Sequence, residues 1–239
     1  MFSIGDSACI NGIQTYPSSM PNSDYYTRLC TTSNGLRIVS AAKAQDSALV
    51  KTAIIISSVM SKVDSRVAQS MNDNNFRHAV MAAYPSELTT DIPEHAWLGS
   101  EWNERARGLG ATVSVPVGSS AEENVLCYPD DRYRGEDITI HEFAHSVHLL
   151  GFTFVFSSFT QDLMNLYADA KQGNLWASEH YAMTNYIEYF AEGVQSYFDA
   201  NYQVSQSPTN REQLKSQDPK LFDFLDKYFG YAQWRSLGC

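Results

Sequence analysis

The stretch 137–151, DITIHEFAHSVHLLG, decides how the rest of this chain is read. It holds no proline and no glycine before Gly151, and Glu142 is the only charged residue after Asp137, so a helix can run through it. His141 and His145 are four residues apart. On a helix they share one face a turn apart, with room for a metal ion between the two rings. Glu142 is offset around the same turn, where it can lean over such an ion without binding it.

A metal that activates water keeps three protein ligands and one open position. His148 suggests itself as the third, but seven residues from His141 correspond to a rise of about 10 Å, too far to share an ion with the pair. It reads as a wall or packing residue. An extension with glycine at 148 and histidine at 151 is also absent, because the chain has the reverse order. A better source is the segment YAMTNYIEYFAEGVQSYF, in which Glu188 and Glu192 are again four apart. They sit among Ile187, Tyr189, Phe190, Ala191 and Val194, an apolar setting for two carboxylates. Burial of such a pair costs several kcal/mol unless a cation or strong donors compensate. A metal ion for one and a histidine N–H for the other would do so.

An H-E-x-x-H helix followed by a helix carrying E-x-x-x-E resembles the gluzincin zinc metallopeptidases. The wording EYFAE, with Tyr181 seven residues ahead of Glu188, resembles the catalytic domain of anthrax lethal factor and the Pro-Pro endopeptidase group. So does the gap of 188 − 145 = 43 residues. The match covers roughly residues 138–200. The resemblance implies one Zn²⁺ per chain held by His141, His145 and Glu188, with Glu142 as general base toward a zinc-activated water. It assigns Tyr181 to the substrate oxygen and Glu192 to the outer shell, where it holds a ligating histidine in its tautomer. The expected activity is therefore zinc-dependent endoproteolysis of a peptide or protein substrate. Two other classes stand beside it: a zinc hydrolase acting on a non-peptide substrate, and a toxin-like or binding module that retains a zincin core. The retained Glu142 argues against a purely structural metal site.

The remaining sequence frames this site. A chain of 239 residues reads as one domain, 1–239, with a mixed α/β lobe over 1–136 and a helical lobe with the metal site over 137–239. The expected fold is α+β and zincin-like, with a small mixed sheet and an edge strand in the N-terminal part. Residues 1 to about 35 are rich in Ser, Thr, Asn and Pro and read as an ordered but irregular lead-in. QDSALVKTAIIISSVMSKV reads as a helix with Asp46 as its N-cap, DSRVAQSMNDNN as a second, short helix, and FRHAVMAAY as a strand. GATVSVPVG, 110–118, alternates valines with polar residues and carries a proline, the pattern of an edge strand that a peptide could extend. ENVLCYPDD is a further strand candidate. Glu94, His95, His78 and His180 are candidates for the cleft wall, each with an ordinary structural reading beside it.

A net charge of −10 argues against nucleic acid and anionic lipid as partners. No apolar stretch is long enough to cross a bilayer. The N-terminus lacks the basic and apolar regions of a secretory leader. Cys9, Cys30, Cys127 and Cys239 permit two disulfides in three pairings, and none lies in a C-x-x-C spacing. Disulfides would favour a secreted protein with its leader removed over a cytoplasmic one.

Overall fold

The computed structural model describes residues 8–201 and 207–236. It is an α+β arrangement around one six-stranded mixed sheet. The strands are β1 (Gln14–Thr15), β2 (Arg28–Thr31), β3 (Arg37–Ser40), β4 (Arg77–Met81), β5 (Gly108–Leu109) and β6 (Val117–Ala121), in the order β1-β2-β3-β4-β6-β5. The β3–β4 and β4–β6 pairs are parallel and the others antiparallel. Two helices, α1 (Asp46–Val59) and α2 (Ser65–Asp73), make the crossover from β3 to β4.

Alternation along the strands divides the core. Ile38 and Val80 face the larger cluster, shared with the helices, while Val39, Ala79 and Met81 face a smaller one with Tyr16, Tyr26 and Val117. Every residue of β4 and β6 is buried. The first strands form a meander that the Cys9–Cys30 disulfide ties to β2. In the chain-entropy picture, closing a loop of this length is worth about 3 kcal/mol. Cys127 is disulfide-bonded as well, and Cys239 lies outside the described residues, as does 1–7, the start of the stretch read for a leader. No helix among the described residues is long and apolar enough to cross a membrane.

Several local expectations are corrected. The stretch 110–118 is not one strand: 110–116 is a loop, Val117 starts the interior strand β6, and the edge of the sheet is Gly108–Leu109. The cause is Thr112. Its amide bonds the Val115 carbonyl at 2.8 Å and its hydroxyl accepts from the Val115 amide at 3.1 Å, so the valine alternation folds into a turn. ENVLCYPDD is not a strand either. It begins with the short helix α4 (Glu122–Val125), after the four-residue α3 (Trp102–Arg105). Both glutamates of α4 have long-range partners: Glu122 accepts from the Gln45 amide at 2.8 Å, and Glu123 pairs with buried Arg107 at 2.5 Å. Asp46 is not the cap of α1. Gln45 occupies that position, and the Asp46 carboxylate pairs instead with Arg28 at 2.9 Å. The lead-in is also more regular than expected, since it holds β1 and β2.

Beyond the sheet the chain is helical: α5 (Ile138–Val147), a single π turn at His148–Phe152, then α6 (Thr153–Val155), α7 (Phe159–Gln172), α8 (Tyr186–Tyr197), α9 (Arg211–Gln217) and α10 (Pro219–Tyr228). Sheet and helices meet closely at three glycines. A Cβ on Gly110 would lie 2.4 Å from Cβ of His145, one on Gly108 would lie 2.6 Å from Ile138, and one on Gly118 would lie 2.9 Å from Ser146 Oγ. The edge strand therefore rests directly on α5. Substituting Gly110→Ala is expected to lower stability by about 1–3 kcal/mol through overpacking. A chemical-denaturation midpoint unchanged from the wild type would show that the backbone at 110, just past the edge strand, does not press on the helix.

Candidate metal centre and cleft

Two caps set the helices that carry the site. The Asp137 carboxylate accepts from the Ile140 amide at 3.1 Å and starts α5. The Asn185 side chain accepts from the Ile187 and Glu188 amides at 2.8 and 3.0 Å and starts α8. Each is an orphan-donor cap at a helix N-terminus. The two helices pack face to face, which brings Glu188 against the histidine pair.

The resulting geometry is a triangle. His141 Nε2 and His145 Nε2 are 3.2 Å apart, and Glu188 Oε2 lies 3.2 Å from each. Both rings are nearly buried, at 7% and 8% exposure, and Glu188 is half-buried. These three residues form the group of acidic and histidine side chains, among the described residues, that could hold a metal ion. Two imidazole nitrogens facing one another at this distance share a hydrogen between them, or a metal ion in its place. Burial opposes a charged His141 ring, but hydrogen bonding to Glu188 and the charges of Glu142, Glu192 and Glu188 outweigh it and push this histidine up to about 10. The Glu188 carboxyl, which burial alone would raise, is held well below the usual range by hydrogen bonds from the two histidines.

Gln195 lies behind His141. Its Oε1 is 2.9 Å from His141 Nδ1, while its Nε2 donates to the Asp137 carbonyl at 3.3 Å. That donation fixes the amide orientation, so Nδ1 carries a hydrogen and Nε2 is turned toward the triangle. Glu192 does not make this bond. Its Oε1 stands 3.7 Å from Nδ1 and its Oε2 accepts from Asn201 at 3.4 Å. Burial raises the Glu192 carboxyl to about 7, against the lowering charge of His141. Sequence reasoning assigned the contact to Glu192 and missed Gln195. The signal was available: 188, 192 and 195 follow the spacing of one helical face.

The triangle borders a cleft of about 490 Å³ whose lining includes Glu142, Tyr181, Trp102, Arg105 and the edge strand. Burial raises the Glu142 carboxyl, with the His141 and His145 charges acting the other way. Tyr181, on a 3-10 turn at Tyr181–Met183, is half-exposed, with its ring centroid 6.2 Å from that of His141. Burial, followed by the charges of Glu188 and Glu142, pushes its phenol up to about 12, so it remains a donor at neutral pH.

The other candidate wall residues lie elsewhere. His148 is fully buried against Phe159, Phe190 and Tyr186. His78 bonds Ser120 Oγ at 2.9 Å, and His95 bonds the Val117 carbonyl at 3.2 Å. Glu94 pairs with Arg77 at 2.5 Å. His180 receives the Ala182 amide at 3.1 Å.

No protein-family model matches the chain, and no curated protein does. Solved structures do, in 38 chains. One is the Pro-Pro endopeptidase PPEP-2 from Paenibacillus alvei. It aligns with a TM-score of 0.53 and 18% identity, over 80% of this chain and 96% of that one. At that identity the likeness is one of fold.

A divalent ion entering the triangle would displace the proton that His141 holds. Metal titration at pH 7.5, followed by calorimetry in buffers of different ionisation enthalpy, is expected to show release of about one proton per ion. Binding with no proton release would refute the assignment of His141 as charged in the metal-free protein.

Proposed function

We propose that this protein is a zinc-dependent endopeptidase of the gluzincin type. The observation that carries the proposal is the 3.2 Å triangle of two imidazole nitrogens and one carboxylate oxygen at the wall of an open cleft. The donor set fits zinc. Ligands at about 2.0–2.1 Å in tetrahedral array stand roughly 3.3 Å apart, and a fourth position remains for water. His141, His145 and Glu188 would hold the ion. When bound, zinc supplies Lewis acidity and a water of lowered pKa.

The chain's own residues supply the rest. Glu142, its basicity raised by burial, takes the proton of the attacking water and passes it to the leaving amine. Tyr181 offers its phenol hydrogen to the oxyanion that develops on the scissile carbonyl, a charge that exists only in the transition state. Gln195 keeps His141 in the tautomer with Nε2 free. Glu192, one turn from Glu188, adds a buried carboxylate beside the same ring. The outer edge of Gly108–Leu109 pairs with no other strand among the described residues, and an extended peptide can add to it. Likeness of fold to a Pro-Pro endopeptidase supports a peptide as substrate.

Cleavage-site profiling by mass spectrometry on a peptide library tests the proposal. Hydrolysis is expected to stop with a chelator and to return with zinc. Chelator-insensitive cleavage would remove the zinc dependence, and no cleavage by the zinc-loaded protein would remove the peptidase reading. Glu142→Gln is expected to retain one zinc per chain while kcat falls by about 10²–10⁴. Tyr181→Phe is expected to lower kcat by about 10²–10³ with little change in KM. Glu188→Ala should lose stoichiometric zinc, whereas Gln195→Ala weakens metal affinity by about 10–100-fold. If metal analysis finds Glu188→Ala still fully loaded, the third ligand has been misassigned.

A further inference from the structure

The cleft holds two arginines, and only one of them is committed. Arg107 is 1% exposed and spends its guanidinium on Glu123, the Glu87 carbonyl at 2.9 Å and the Ala82 carbonyl at 2.9 Å. Arg105, two residues earlier, is exposed and has no carboxylate within ion-pair distance among the described residues. Its guanidinium lies 4.6 Å over the Trp102 ring instead. The backbone beneath it is fixed: the Arg105 carbonyl accepts from Tyr133 OH at 2.5 Å, the Ala106 amide bonds the Trp102 carbonyl at 2.9 Å, and the Ala106 carbonyl accepts from Thr89 at 2.6 Å. Trp102 and Tyr133 line the same cleft.

This cation stands three residues before Gly108, at the end of the strand edge proposed to receive substrate. Four glutamates line the cleft, Glu136, Glu142, Glu188 and Glu192, and none of them forms an ion pair with Arg105. Glu188 is bound to the histidines, and Glu192 stands behind His141 and accepts from Asn201. A guanidinium stacked on an aromatic ring keeps its outward N–H donors free for a planar acceptor. In a protein of net charge −10 such a site is selective, because the surrounding field repels anions that lack a specific partner.

We propose that Arg105, carried on Trp102, is a specificity-determining residue that selects peptides bearing a carboxylate at a fixed distance from the scissile bond. The carboxylate belongs either to an Asp or Glu side chain or to a free C-terminus, and the chemistry of the contact is the same. The inference rests on the peptidase reading above. Neutralising the cation should leave the metal triangle and Glu142 intact.

The test uses zinc-loaded full-length protein carrying Glu142→Gln, immobilised and exposed to two random hexapeptide libraries, one amidated and one with free C-termini. Retained peptides are sequenced by mass spectrometry. Enrichment of Asp and Glu in the amidated pool, or of free over amidated termini, is expected at about tenfold, the scale of one charge-assisted hydrogen bond at a partly exposed site. Adding Arg105→Gln should abolish the enrichment without changing zinc content, and Arg105→Glu should reverse it toward Lys and Arg. A retained pool without carboxylate preference, a preference that survives Arg105→Gln, or no retention at all would overturn the proposal. Cleavage by the protein with Glu142 intact is scored separately. Arg105-dependent retention without cleavage sinks the hydrolase and keeps the carboxylate site, while cleavage without acidic preference does the reverse.

Discussion

Two imidazole nitrogens and a carboxylate oxygen, 3.2 Å apart on two different helices, are the constraint around which the rest of this structure is arranged. Two nearly buried imidazoles and a carboxylate form no stable apolar contact; their polar atoms have to be paired through protons or a cation, and leaving such groups unpaired costs several kcal/mol. Helices α5 and α8 must therefore be held in register by something other than the site. Asp137 and Asn185 fix where the helices begin. A cluster of stacked and edge-on rings, Phe152, Phe159, Phe190 and Phe229, packs α8 against the π turn that follows α5 and against α7. Gln195 ties the two helices together through a polar contact, since it touches the His141 ring and the Asp137 carbonyl at once.

The sheet contributes the other wall by coming unusually close. Glycines at 108, 110 and 118 allow backbone to approach α5 where any Cβ would collide. Arg107, lodged between Glu123 and two carbonyls, anchors the residue just before that edge. The cleft is thus a gap between a rigid strand edge and a rigid helix. Its contents are set by residues that neither element needs for its own stability, such as Tyr181 and Arg105.

The parts of this design legible in sequence were those with a period. His141, His145 and Glu142 declare a helix face by spacing alone, and so do Glu188 and Glu192 once their apolar neighbours are counted. What was not legible depended on single local bonds. The valine alternation at 113–117 has the period of a strand, yet the Thr112–Val115 bonds turn it back on itself. The two glutamates of α4 gave no helical period, because the segment is one turn long and is held by Gln45 and Arg107 from far away in sequence. Gln195 lay on the correct face but was passed over, since an amide carries less chemical signal than the carboxylate at 192. In the strand a period was overridden by two local bonds, and in the amide side-chain type outweighed position in the reading.

Helix α5 and the π turn after it also show why one histidine becomes a candidate ligand and another a packing residue. His141, His145 and His148 follow one another along a single apolar helix, and propensity does not separate them. Their surroundings do. His141 and His145 face carboxylates, whose negative charge makes a proton or a metal welcome; His141 is raised to about 10. His148 faces Phe159, Phe190 and Tyr186, with neither ring nitrogen partnered among the described residues, and burial lowers it to about 3. A neutral ring among phenyl edges has no reason to bind an ion and cannot compete for one held a turn away. The aromatic cluster that fixes the helices thereby also keeps the third imidazole out of the site, so packing and ligand choice follow from the same set of contacts.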